Sequence, residues 1–139
     1  MVKNIKKILL VEPKAPGLHV YSSFGVPRLG LPLLGRILRG QGYSVDVFVE
    51  GGEPVPMNAL READLVGVSS TTSTAVHAYQ IAALARDMGK TVVMGGPHVT
   101  FEDEEAAAYC DAVVRGEGEF TFPELIGAIR GGGDFRSVA

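Results

Sequence analysis

The chain has 139 residues, of which 13 are Lys or Arg and 16 are Asp or Glu, for a net charge of -3. That length suits a single domain, 1–139, with a core of its own, and lysines that gather mainly at Lys3, Lys6 and Lys7 leave no basic stripe for nucleic acid. One cysteine, Cys110, excludes an internal disulfide and a multi-thiolate zinc or iron–sulfur site within the chain, and it fits a reducing, cytoplasmic setting.

The first apolar run, Ile8 to Val11, follows basic residues, but Glu12 and Pro13 cut it far short of a signal-peptide core or a membrane span. Ile5 to Val11 reads instead as a central parallel strand covered on both faces. From Glu12 to Pro32 the chain carries Pro13, Pro16, Gly17, Gly25, Pro27, Gly30 and Pro32, too many breakers for a regular element. A loop of that length in a compact domain points to function or mobility. A helix is predicted over Pro32 to Gln41, with Leu33, Leu34, Ile37 and Leu38 as its apolar stripe and Gly42 as its stop. Ser44 to Val49 is the second strand.

After the turn-rich Gly51, Gly52, Pro54 and Pro56, Asn58 is expected to cap a short helix through Ala63. Leu65 to Val68 forms the third strand and runs into Ser69 to Thr74, a hydroxyl-rich bend that opens a helix ending at Met88, with Gly89 as its stop. On that helix His77, Ile81, Leu84, Ala85 and Met88 share one stripe, so His77 reads as a partly buried core histidine. Val92 to Met94 is the fourth strand and breaks at Gly95-Gly96-Pro97; Ala112 to Val114 is the fifth and breaks at Arg115-Gly116-Glu117-Gly118. Between them, Thr100 with Asp103 resembles a capping box, and the acids Glu102 to Glu105 suit a helix start. The last helix is predicted to open at Thr121 with Pro123 in its first turn and Phe120 stapled to Leu125, and to end near Arg130.

Strand and helix therefore alternate five times, which implies a doubly wound, flavodoxin-like (Rossmann-like) α/β fold with five parallel strands in the order 2-1-3-4-5. Ligands of such sheets sit outside the carboxyl ends of the strands, so the loops after strands one, three, four and five form one candidate rim. Neither the dinucleotide fingerprint G-x-G-x-x-G nor a phosphate-binding G-x-x-x-x-G-K-[ST] loop is present. A phosphoacceptor site is also missing, since Glu12 stands alone and strand three ends in Ser69. The rim offers hydroxyls and helix-start amides at Ser69 to Thr74, bare backbone at Gly95 and Gly96, and a turn at Gly116, Glu117 and Gly118. Such a surface suits a large neutral ligand rich in amides and hydroxyls.

Residues Gly95 to Ile126, GGPHVTFEDEEAAAYCDAVVRGEGEFTFPELI, resemble the hallmark stretch of the cobalamin-binding domain at the N-terminus of many radical S-adenosylmethionine (radical SAM) proteins. The Gly- and Pro-rich loop before LGLPLLGRILRGQGYSVDVF is similar to that family too. The resemblance implies a module that holds the cobalamin tail along the sheet with the corrin ring over the strand ends. On matching positions it implies that Ser69, Ser70 and Thr71 meet the tail, that Gly95 and Gly96 leave room for its base, and that Gly116, Glu117 and Gly118 line the other wall, with Pro97 and His98 also among the cofactor-binding residues. It further implies that S-adenosylmethionine and a 4Fe-4S cluster belong to a following domain, beginning after about residue 139, which would be this module's partner in a methyltransferase-like enzyme. The family's better-known relatives carry D-x-H-x-x-G after the first strand; here that loop holds only His19, a candidate cobalt ligand, without the aspartate or the glycine.

For each feature a purely structural reading stands beside the ligand reading. Ser69 to Thr74 also makes an ordinary capped helix start, Gly95 to Pro97 an ordinary tight turn, and His98 either packs in its loop or meets the ligand. No pairing of nucleophile and base is evident, so no catalytic residue is assigned. The alternative function keeps the fold without cobalamin, as a docking or substrate-positioning domain. Replacing Gly96 by a bulky residue is expected to leave folding intact and abolish binding.

Overall fold

The computed structural model describes residues 5–13, 30–50, 54–71, 74–96, 99, 102–115 and 118–131. Five strands, β1 (Lys7–Glu12), β2 (Ser44–Val49), β3 (Leu65–Ser69), β4 (Thr91–Gly95) and β5 (Ala112–Val113), pair in parallel in the order β2-β1-β3-β4-β5. The helices are α1 (Gly30–Gly40), α2 (Met57–Glu62), α3 (Ala75–Asp87), α4 (Asp103–Ala107) and α5 (Gly118–Arg130). The flavodoxin-like expectation is borne out.

Alternation along β1 builds the two layers. Leu9 and Val11 join Leu60, Ala78, Ile81 and Ala82 on the face covered by α2 and α3. Ile8 and Leu10 join Leu34, Leu38, Phe122 and Ile126 on the face covered by α1 and α5. Each such Leu or Ile contributes about 1.5–3 kcal/mol on burial. On the second face a Cβ at Gly67 would come within 2.8 Å of Leu10 Cδ2 and 3.3 Å of Phe122 Cζ, so the glycine is what lets the phenyl ring lie against the sheet.

The predicted stops after α1 and α3 hold. Gly42 (φ 97°) and Gly89 (φ 79°) take the left-handed conformation. The Gly42 and Tyr43 amides close onto Arg39 and Leu38, and the Gly89 and Lys90 amides onto Arg86 and Ala85, the paired bonds of a Schellman ending. At the amino edge of the sheet, Asp64 Oδ2 accepts from the amides of Lys6 and Lys7, each at 2.9 Å, and Asp111 Oδ2 accepts from that of Val92 at 2.7 Å. These carboxylates anchor the edge opposite the rim.

Three local expectations change. Pro56, not Asn58, precedes α2, because its carbonyl already accepts from Ala59 and Leu60 at 3.1 and 3.3 Å; Asn58 lies inside the helix, bonded to Arg61. Helix α5 opens at Gly118, so Thr121 is helical and does not cap, and Pro123 sits inside the helix. Proline removes only its own N–H bond and crowds one carbonyl, and the burial of Phe122, Leu125, Ile126 and Ile129 holds the helix across it. On α3 the face against the sheet is Ala78, Ile81, Ala82 and Ala85, which turns Leu84 outward. The expected cap at Thr100 lies outside the described residues, and α4 follows Glu102 without a side-chain cap bond. No helix among the described residues is long and apolar enough to cross a membrane.

Candidate functional site

Parallel pairing brings the ends of β3 and β4 together. Ser69 is in register with Gly95, and the Ser70 amide donates to the Gly95 carbonyl at 3.0 Å. Gly96 (φ 102°) folds over this junction so tightly that a Cβ would collide with the Ser70 carbonyl oxygen and stand 2.8 Å from its nitrogen and 3.0 Å from Ser69 Oγ. This corrects the expectation for Gly96: the glycine is demanded by the backbone of β3, and a bulky residue there damages the fold itself. Gly95 differs. A Cβ on it would meet Val114 O at 3.6 Å, an ordinary contact, so within the described residues its bareness has no packing cause. On the far side, the Val114 amide donates to Met94 O at 2.8 Å and brings the end of β5 alongside.

Among the described residues of the bend, the hydroxyls of Thr74 and Ser70 differ. Thr74 Oγ1 accepts from the Thr71 amide at 2.8 Å, and the Thr74 amide donates to Thr71 O at 3.1 Å, so these two close a local turn. They are engaged locally, but not as the expected capped helix start, since Thr74 bonds backward and makes no forward cap bond. Ser70 is 1 % exposed, and its Oγ has no hydrogen-bond partner among the described residues. A buried hydroxyl without a partner costs about 1–3 kcal/mol, which a hydrogen-bonding ligand would recover. The residues present thus fit a neutral, amide-bearing group lying across the ends of β3 and β4.

At the same carboxyl edge of the sheet lies a pair that sequence reasoning missed. Glu50, directly after β2, is buried, and its Oε1 is 2.7 Å from His77 Nε2 on the first turn of α3. The Val55 amide donates to Glu50 Oε2 at 3.0 Å, and the Glu50 amide donates to Glu12 O at 3.0 Å. His77 is therefore a rim residue tied to a carboxylate, not a member of the apolar stripe. The available signal was topological, since an acid ending β2 and a histidine opening α3 both fall at the carboxyl edge of the sheet.

Of the other predicted site residues, Gly118 opens α5, while Pro97, His98, Gly116, Glu117 and His19 lie outside the described residues. His77 bonds Glu50 and Gln80, not a hydroxyl or thiol. Among the described residues no group of three His, Cys, Asp or Glu could hold a metal ion. Away from the rim, Cys110 is buried with Sγ 3.2 Å from the carbonyls of Ala106 and Ala112, and burial pushes its thiol up to about 11. Tyr79 stacks on Tyr109 and donates to Glu105 at 2.7 Å; burial first, then that carboxylate, holds its phenol above the ordinary range.

A doubly wound parallel sheet with a hydroxyl- and glycine-lined carboxyl edge defines a ligand-binding module. Residues 20–126 match the family model described as the B12 binding domain. An uncharacterized methyltransferase of Pyrococcus horikoshii is 36% identical over 97% of this chain and 32% of its own length. Two Chlorobaculum tepidum proteins are also similar: bacteriochlorophyllide d C-12(1)-methyltransferase, 33% identical over 88% of this chain and 27% of its own length, and bacteriochlorophyllide d C-8(2)-methyltransferase, 48% identical over 45% and 14%. The chain belongs to the B12-binding domain family. It spans no more than 32% of the length of any of these three relatives.

Proposed function

We propose that this chain binds cobalamin along the ends of β3, β4 and β5 as one module of a longer radical SAM methyltransferase. The observation that carries the reading is the junction of Ser70, buried with an unpartnered hydroxyl among the described residues, with the open Gly95. Ser69, Ser70 and Thr71 would hold the cofactor tail, Gly95 would leave room for its base, and Gly96 would keep the wall between them in shape. Pro97, His98, Gly116, Glu117 and Gly118 complete the proposed pocket, and His19 is the proposed candidate toward cobalt. When bound, cobalamin supplies a cobalt centre that can carry a methyl group between donor and acceptor. The chain's own part is to bind, orient and shield that cofactor. S-adenosylmethionine and its 4Fe-4S cluster are assigned to a following domain, and the methyltransferase names of the relatives support methyl transfer as the reaction class.

The test is a titration with hydroxocobalamin and methylcobalamin, followed by visible absorbance, on the chain and on the full-length protein that contains it. Saturable binding is expected, and absence of binding in both would refute the reading. A second reading keeps the fold as a docking domain without cobalamin. Its support is that Leu33, Val49, Met57 and Val76, all in first helical turns or at the end of β2, are exposed at the rim end of the sheet, Val76 at 70%. The proposed occupant of that surface is the following domain of the same polypeptide. Full-length protein that is active without cobalamin would favour this second reading.

A further inference from the structure

We infer that Glu50 and His77 form a positioning clip that sets the first turn of α3, and through it the ends of β3 and β4, for cobalamin; the inference rests on the cofactor reading above. The Glu50 side chain is only 3% exposed. A buried carboxylate is costly unless it is paired and hydrogen-bonded, and the bonds of Glu50 lead to three different segments of the rim. Its amide reaches the end of β1 at Glu12, Oε2 reaches Val55 ahead of α2, and Oε1 reaches His77 on α3. His77 Nδ1 lies 3.3 Å from Gln80 Oε1, so the imidazole is held at both nitrogens.

The clip is linked to the site through Thr71, next to Ser70, and Thr74, next to the first residue of α3, which are joined by two hydrogen bonds. A shift of the first turn of α3 is therefore transmitted to Ser70 and, through the Ser70 amide, to Gly95. The opposite end of α3 is held independently: Arg86 lies 3.9 Å from Asp111 and donates to Ala108 O at 3.4 Å, at the amino edge of the sheet. Glu50 and His77 touch no reacting group in this scheme and act through the residues they hold.

The experiment measures hydroxocobalamin affinity by visible absorbance and stability by urea unfolding for the wild type and for His77→Ala, His77→Gln, Glu50→Ala, the double variant His77→Ala with Glu50→Ala, and Arg86→Ala. His77→Ala and Glu50→Ala are expected to weaken binding by about tenfold or more, with the double variant no worse than either single one. His77→Gln keeps an N–H donor on a side chain of similar reach and is expected to recover most of the affinity. Arg86→Ala, at the far end of the same helix, should leave affinity unchanged whatever its stability. Because the His77 side chain is 35% exposed, His77→Ala carries the test even where Glu50→Ala fails to fold. Affinity of folded His77→Ala within about twofold of wild type, with a lowered urea midpoint, would show a purely structural pair and overturn the inference. A wild type that binds cobalamin neither as this chain alone nor at full length overturns the cofactor reading and this inference with it.

Discussion

Replacing Gly96 by alanine tests the geometry on which the site is built. The residue sits at φ 102°, where an L side chain is strained by about 1–2 kcal/mol or more. The added methyl would also collide with Ser70 O and stand 2.8 Å from Ser70 N, and backbone at the end of a central strand does not swing aside as a long side chain would. Overpacking of this kind costs about 1–3 kcal/mol, for a total of about 2–5 kcal/mol. Against a stability of about 5–15 kcal/mol, the variant should fold but unfold early. At about 1.5 kcal/mol per molar urea, the midpoint should fall by about 1–3 M. Gly95→Ala is the matched control, with no left-handed backbone and a nearest contact of 3.6 Å. Its stability should stay within about 0.5 kcal/mol of wild type, while its cobalamin affinity drops by about tenfold or more if the tail crosses that strand end. Urea unfolding followed by circular dichroism reads the first effect and a cobalamin titration the second. A Gly96→Ala midpoint within about 0.3 M of wild type would refute the argument from backbone geometry.

Other outcomes follow from the same structure. Cys110, with its thiol pushed up to about 11 by burial, should resist a thiol-specific disulfide reagent near neutral pH in the folded protein and react fully in urea. Tyr79 is held protonated above its ordinary value of 10.0, so its contribution to stability is complete below that pH and is lost as pH rises beyond it. Tyr79→Phe should lose about 1 kcal/mol at neutral pH, through the bond to Glu105, and show a shallower alkaline decline than wild type in urea titrations. Asp64→Ala removes the acceptor of two strand-end amides and should cost about 1–2 kcal/mol without changing cobalamin affinity, because it acts at the amino edge of the sheet.

Much of the architecture is legible from neighbours along the chain. Continuous apolar runs such as Ile8 to Val11, glycines one or two residues beyond each long helix, and regular strand–helix alternation specify the five-stranded order, because strand burial, helix termination and crossover handedness are decided locally. Helix starts were less secure. Asn58 and Thr121 carry good capping chemistry, yet Pro56 and the packing of α5 decided where those helices open.

The site is legible only in outline. The hydroxyl bend and the paired glycines could be placed on one rim, since topology alone brings β3 and β4 side by side. Which hydroxyl is satisfied and which is buried without a partner among the described residues, why a side chain strains the backbone at Gly96 and not at Gly95, and that Glu50 meets His77 across 27 positions were decided by tertiary structure. Backbone preference acts over a few residues, whereas these features arise where sheet register brings distant strand ends within hydrogen-bond reach.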